Sequence, residues 1–312
     1  MSAILDRFGV VPDDTEQFAG FVVGRTLILD GDSDCYNVTM KCAKLETAQR
    51  RFKTRVYEHM FIAQAESCRV HLTPKGCAKN GRHLLLGAKP YQGQRTGPKP
   101  AQLEPLRASA HTIFDPEDNV EVFAHYDIEA DDGVMIDAYS IPNCIVKSED
   151  KDLNIVPCAR ICNTTGKILT LPKGDRFGWL GTRYTESGKA KPDGHGTKFF
   201  WLQMLMGDSA DNVKGIIKFD GALCGETTAP RILSPVTCEN HAANLVINGY
   251  RAINQNPLPE AEALWLLRAR GDSAVGYIWS LDLTPANRAF IQDCFNRKYR
   301  LTEEEYAEKD CT

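Results

Sequence analysis

The chain has 312 residues, 43% hydrophobic and 25% charged, with a net charge of −4, a composition that leaves room for one large α/β domain or a core domain with a helical extension. No apolar run approaches the roughly 18–20 residues of a membrane span, and the opening MSAILDRFGVVPDD lacks the basic and apolar regions of a secretion signal. Eleven cysteines without a CxxC pair (the closest are Cys158 and Cys162) and seven histidines without HxxxH spacing argue for reduced, buried thiols in a cytoplasmic protein, against a disulfide framework or a zinc site.

In chain order, residues 26–30 form a short apolar strand that ends in Asp30 and is followed by Gly31-Asp32-Ser33-Asp34. Residues 38–67 read as one or two helices, with apolar positions at Val56, Met60, Phe61 and Ala65. A second strand lies at Val70–Leu72, and residues 74–107, rich in Pro, Gly and basic side chains, read as a long loop. Residues 120–124 are a third strand candidate. Glu129-Ala130-Asp131-Asp132 opens a helix-like run from Gly133 to Tyr139, and Cys144–Val146 reads as a buried parallel strand leading to Ser148-Glu149-Asp150-Lys151-Asp152. A hairpin turning at Thr164–Gly166 is expected within 155–170, then a second basic, Gly-rich loop from Lys173 to Lys198. A helix follows over Phe199–Met206 and stops at Gly207-Asp208. The remainder is mainly helical, clearest at 259–270 and 284–298. Strands alternating with helices imply a mostly parallel central sheet flanked by helices.

Charge is segregated along this chain. From Arg69 to Arg107 there are eight basic residues against the single acid Glu104, while His125 to Asp152 holds eight carboxylates against two lysines. The acids fall into four groups: Asp30 with Asp32; Glu129, Asp131 and Asp132; Asp150 and Asp152; Asp208 and Asp211. Singly, each has an ordinary explanation as a turn, a helix cap or first-turn acids facing a helix dipole. Together, each at a strand or helix boundary, they suggest one pocket whose mutual repulsion needs a hard divalent cation. A basic tract beside such a pocket suggests a polyanion held over bound metals.

LILDGD, EADD, SEDKD and GDSADNVKGI occur in the order of the motifs of the bacteriophage and bacterial 5′→3′ exonucleases and flap endonucleases, and the chain resembles that PIN-like family, most of all the podophage-type 5′→3′ exonucleases, over residues 26–216. The resemblance implies a PIN-like catalytic core over 1–172, with a basic arch or clamp at 74–110, and a DNA-binding and helical region over 173–312. It implies a two-metal phosphodiester hydrolase acting from 5′ ends of duplex DNA, a flap or an RNA–DNA hybrid. Such a protein would be a monomer in the host cytoplasm if phage-encoded, working in DNA replication. Asp30, Glu129, Asp131 and Asp150 would surround the first Mg²⁺, and Asp132, Asp152, Asp208 and Asp211 would hold the second or complete its surroundings, with Mn²⁺ able to substitute. Lys89 and Arg95 would orient the scissile phosphate, and Lys75, Lys79, Arg82, Tyr91 and Lys99 would contact DNA from the clamp. Gly207, Asn212, Lys214 and Gly215 would grip duplex through a helix–turn–helix hairpin, with a K⁺ ion on its carbonyls.

Tyr91 is open to two readings, a base-stacking platform or a packed loop residue; His125 likewise could support the acids or simply pack. Trp179 and Trp201 are expected to pack. Two positions depart from the family pattern: Thr73 stands where an Asp is usual after the second strand, and Gln92 stands where a phosphate-contacting lysine is usual. A non-catalytic DNA-end-binding protein with a degenerate core is the alternative, and a PIN-type ribonuclease fits less well because its small members lack the GDSADN hairpin.

Overall fold

A computed structural model describes residues 20–94, 97–185 and 187–310. Its centre is a six-stranded sheet of order β3-β2-β1-β4-β5-β6, formed by β1 (Val22–Asp30), β2 (Ala65–Leu72), β3 (Val120–Ala124), β4 (Cys144–Lys147), β5 (Ala159–Ile161) and β6 (Ile168–Leu169). The pairs from β3 to β5 are parallel and β5/β6 is antiparallel. The chain builds outward from β1 to β3, then returns to the other side of β1 with β4. That reversal puts a crevice at the carboxyl ends of β1 and β4, where open α/β sheets place their ligands.

Alternate residues of the central strands enter opposite cores, as a sheet covered on both faces requires. Leu27, Leu29, Val70, Leu72 and Ile145 pack with Phe52 and Val56 of α2 (Leu45–Ala63) and with Leu103 and Leu106 of α3 (Leu103–Ser109). Ile28 and Val146 face the other way, onto Val134 and Met135 of α4 (Ala130–Ser140) and a larger core that runs through Trp201 to Trp265 and Ile291.

The hairpin at 155–170 forms as β5/β6, and the helix at 199 is α5 (Lys198–Met206). Trp201 is fully buried, as expected. Four expectations need correction. α1 (Gly31–Thr39) begins directly after β1, because Asp30 accepts from the Asp32 backbone N–H at 3.1 Å and caps the helix. Gly31 permits that close start: a Cβ there would lie 2.7 Å from Val70 Cγ1. The tract at 74–107 contains a 3₁₀ segment, Lys79–Leu84, and reaches into α3. Within the loop expected at 173–198, β7 (Trp179–Tyr184) and β8 (Ala190–His195) form an antiparallel hairpin.

Finally, the helix expected over 259–270 is only α8 (Leu258–Leu264); α6 is Thr228–Leu233 and α7 Glu239–Ala252. It stops because distant side chains take its backbone. Arg82 Nη2 donates to the Trp265 carbonyl at 2.7 Å, and Asp132 Oδ1 accepts from the Leu267 N–H at 3.0 Å. α9 (Ala274–Ser280), α10 (Pro285–Asn296) and α11 (Glu303–Asp310) complete the C-terminal region.

Candidate metal centre

The acid clusters converge at the carboxyl ends of β1 and β4. A cavity of about 340 Å³ there is lined by Asp30, Asp32, Glu129, Asp131, Glu149, Asp150 and Asp211, with Thr73, Gln92 and Arg107 among its other walls. Each carboxylate is set by a local device. Asp30 ends β1 and accepts from Ser33 Oγ at 3.2 Å and Ser148 Oγ at 2.7 Å. Glu129 and Asp132 form a reciprocal capping box at the start of α4, which leaves Asp131 in the first turn pointing at the cavity. Asp150 caps a short 3₁₀ segment by accepting from the Asp152 N–H at 2.9 Å.

A second group joins the first. Carboxylate oxygens of Asp152, Asp208 and Asp211 lie within 4.8 Å of one another, and Asp211 also lines the cavity. Asp208 is positioned by a tight turn in which it and Val213 exchange backbone hydrogen bonds at 2.8 and 2.7 Å. Gly207 and Gly215 back onto each other across that turn. Both have positive φ, and a Cβ on Gly215 would meet Gly207 N at 2.5 Å. No helix follows this turn until Thr228, later than a compact helix–turn–helix would place it.

The electrostatics are those of a site short of positive charge. Burial, then repulsion by Asp32 and Asp150, pushes Asp30 up to about 7. Burial followed by Asp30, Asp150 and Glu129 holds Asp131 well above the ordinary carboxylate range, and burial with Asp150 does the same to Asp152. Glu129 goes the other way: burial alone would raise it, but Arg82 and Lys79 hold it below its usual value. The cavity lining offers carboxylate, hydroxyl and amide oxygens and, among the described residues, no thiol or imidazole, which suits a hard cation such as Mg²⁺ or Mn²⁺.

Three residues of the site were given no ligand role from sequence, although Asp32 was grouped with Asp30. Asp32 lines the cavity, accepts from the Thr73 N–H at 3.1 Å and pairs with Arg107 at 2.9 Å. Glu149 lines it too, held by Asn37 at 2.9 Å and Arg55 at 3.5 Å. Lys151 bonds Asp152 at 2.8 Å and also Asp208. Burial alone would lower its pKa, yet Asp152, Asp208 and Asp150 hold it above the ordinary value. The DKD spacing carries that lysine in plain view, between two acids.

Other expected residues sit elsewhere. Asp132 is fully buried against Arg82, with bonds of 2.7 and 2.8 Å, behind the cavity rather than in it. Arg82, expected on DNA, is 1% exposed and spent on Asp132, Glu129 and the Trp265 carbonyl. Tyr91 packs partly buried against the larger core, and its hydroxyl donates to Glu129 at 2.8 Å and Asp211 at 3.2 Å. Gln92 braces the same two carboxylates, at 3.3 and 2.9 Å, and bonds Lys79, which is itself 3.1 Å from Glu129. Lys89 is exposed and outside the cavity walls; Lys75 and Lys99 are exposed on a neighbouring cavity; Arg95 lies outside the described residues. Asn212 donates to the Pro90 carbonyl at 2.9 Å, Gly215 N–H to Glu260 at 3.1 Å, and Lys214 is partly buried in the turn. His125 packs against His71 at 2.9 Å, and His71 in turn meets Asp137 at 3.0 Å, on the sheet face under α4.

Divalent ions should stabilise this protein in a pH-dependent way. Folded Asp30 holds its proton up to about 7, against 3.8 as the ordinary value, so in chelator its contribution to stability is lost as pH rises between those limits. A divalent ion needs the deprotonated carboxylates. Its stabilising effect is therefore expected to be small at pH 5 and to grow through pH 7, approaching about 2.7 kcal/mol at a hundredfold excess over Kd. Melting curves in Mg²⁺ and in EDTA across that range check this; an Mg²⁺ effect that is constant, or that shrinks as pH rises, contradicts it.

The fold and the site together define a mostly parallel α/β protein with a carboxylate-lined pocket at its topological switch point. No protein-family model matches the chain, and no curated protein does. Solved structures of the bacteriophage T5 5′-exonuclease are similar. The form with bound zinc aligns with a TM-score of 0.49 at 14% identity, over 87% of this chain and 98% of that one. The T5 flap endonuclease in a pseudo-enzyme–product complex with DNA and metal ions aligns with a TM-score of 0.47 at 14% identity over the same shares.

Proposed function

We propose that this chain is a metal-dependent 5′→3′ exonuclease that hydrolyses phosphodiester bonds of duplex DNA from 5′ ends, with flap cleavage and RNA-primer removal as activities of the same site. The observation that carries this reading is the convergence of Asp30, Glu129, Asp131, Asp150 and Asp211 on one cavity that adjoins a lysine-lined one. Asp30, Glu129, Asp131 and Asp150 would hold one divalent ion and Asp152, Asp208 and Asp211 a second. When bound, such ions lower the pKa of a water and neutralise charge on a leaving 3′-oxygen.

The chain's own residues do the rest. The carboxylates alone would repel a phosphodiester, so the ring of cations behind and beside them, Lys79, Arg82, Arg107 and Lys151, moderates the field that a strand meets. Tyr91 and Gln92 fix the Glu129 and Asp211 carboxylates in place, which keeps their spacing when the substrate arrives. Asp132 acts indirectly, through the capping box that aims Asp131.

The test is product analysis with 5′-labelled nicked duplex, 5′ flap and RNA–DNA hybrid in Mg²⁺, Mn²⁺ or EDTA. Release of 5′-phosphorylated mono- or short oligonucleotides in either metal, and none in EDTA, is the expected result. Lys151, whose ammonium already joins Asp152 to Asp208, favours a second reading: a DNA-end-binding protein in which a built-in cation replaces an ion. Labelled duplex that is bound but left intact in both metals would decide for it.

A further inference from the structure

A second cavity, of about 510 Å³, opens beside the acidic one, and Lys75, Lys79 and Lys99 stand in its walls. The two share Asp32, Tyr36, Thr73, Arg107 and Glu129 as lining, so an anionic strand lying along the lysines would arrive at the carboxylates. The cations near that junction differ in what they have left to give. Arg82 is 1% exposed and lines neither cavity, and Lys79 is held by Glu129 and Gln92. Gln92 brings no charge. Arg107, on α3, lines both cavities with a side chain 12% exposed, its Nη2 2.9 Å from Asp32 and its Nη1 3.4 Å from Glu104. Its Nε is buried without a hydrogen-bond partner, as is that of Arg82, so the donors left for a strand are on the two Nη atoms. A guanidinium carries five N–H donors in a planar fork that matches phosphate, and two carboxylate contacts do not exhaust them.

We infer that Arg107 receives a phosphate of the single-stranded 5′ segment where the lysine-lined cavity meets the carboxylates, and that this contact selects which phosphodiester is presented for cleavage. The inference rests on the nuclease reading. Asp32, held from behind by the Thr73 N–H, anchors the guanidinium at the junction, and with Glu104 on Nη1 the remaining Nη N–H groups are left for the strand. The charge that the sequence lacks at Gln92 is then supplied from another element, 15 residues further along the chain.

The test compares Arg107→Ala and Arg107→Lys in the full chain. Arg107→Ala is expected to slow single-turnover cleavage of a 5′ flap by about 10²–10³-fold, the loss typical of one preorganised donor, and Arg107→Lys to restore part of it. Affinity for blunt duplex in Ca²⁺ should stay within about threefold, as for a substitution outside the duplex contact. Affinity for a short 5′-phosphorylated single strand in Ca²⁺ should fall about tenfold, the loss of one charge-assisted hydrogen bond.

A role confined to supporting Asp32 is separated by the Asp32→Asn background. There Arg107→Ala must still slow cleavage; no further loss would overturn the inference. So would unchanged single-strand affinity in Arg107→Ala. Wild-type protein that binds duplex without cutting it sinks the nuclease reading instead, and the single-strand affinities then decide the Arg107 contact alone.

Discussion

Asp131→Asn is expected to lower Mg²⁺-dependent cleavage by at least about 10²–10³-fold while leaving duplex affinity unchanged and making the metal-free protein more stable. The three outcomes follow from one placement. Asp131 sits in the first turn of α4, facing Asp30, Asp150, Glu129 and Asp152, and that company holds its pKa well above the ordinary range. Asparagine keeps the shape and one acceptor oxygen but removes a charge that every neighbour opposes. In EDTA that is relief, so the melting temperature rises. With metal present it is a missing anionic ligand, so turnover fails. Duplex affinity is expected to hold, because Asp131 lines the acidic cavity and not the lysine-lined one beside it. Single-turnover rates, fluorescence anisotropy in Ca²⁺ and melting in EDTA read the three separately. Full activity with a lowered melting temperature would mean that Asp131 is a structural acid.

Much of this site was legible because its chemistry is written at element boundaries. A strand that ends in Asp-Gly, a helix that opens with Glu-Ala-Asp-Asp and a strand followed by Ser-Glu-Asp-Lys-Asp must place carboxylates at one end of a parallel sheet once β1 and β4 pair, and Leu27↔Ile145 is that pairing. What stayed hidden depends on partners far apart in sequence. Arg82 is one of eight basic residues in a Pro/Gly-rich tract, and nothing local separates it from the exposed Lys75 or Lys99. The end of α8 at Leu264 was invisible for the same reason: the apolar run through Trp265 and Leu267 continues, and only the side chains of Arg82 and Asp132 divert its backbone. Asp32 was grouped with the pocket acids but given no ligand role, and the orientation that makes it a cavity wall comes from Thr73 and Arg107, 41 residues away in one case. β7 and β8 lacked a clear alternation, because Gly181, Pro192 and Gly194 interrupt the apolar pattern.

Arg82→Met is expected to destabilise the protein by about 3–5 kcal/mol, the range for breaking a buried ion pair by removing one partner. The guanidinium donates to Asp132 at 2.7 and 2.8 Å, to Glu129 at 3.0 Å and to the Trp265 carbonyl at 2.7 Å, and neither it nor Asp132 is more than 1% exposed. Methionine fills much of the volume but leaves the Asp132 carboxylate charged in a dry site, with the Trp265 carbonyl unpaired beside it. Burying such groups without partners is what costs, more than the loss of the attraction itself. The double variant Arg82→Met/Asp132→Leu should therefore recover a large part of the loss. It should not recover all of it, because the Leu267 N–H and the Glu129 N–H both donate to Asp132. Urea unfolding midpoints for the two singles and the double give the coupling directly. Cleavage should fall in the double variant even where stability returns, since the capping box that aims Asp131 has lost its acid. An Arg82→Met protein that unfolds at the wild-type midpoint but binds DNA more weakly would return this arginine to the strand-contacting role that its place in the basic tract suggested.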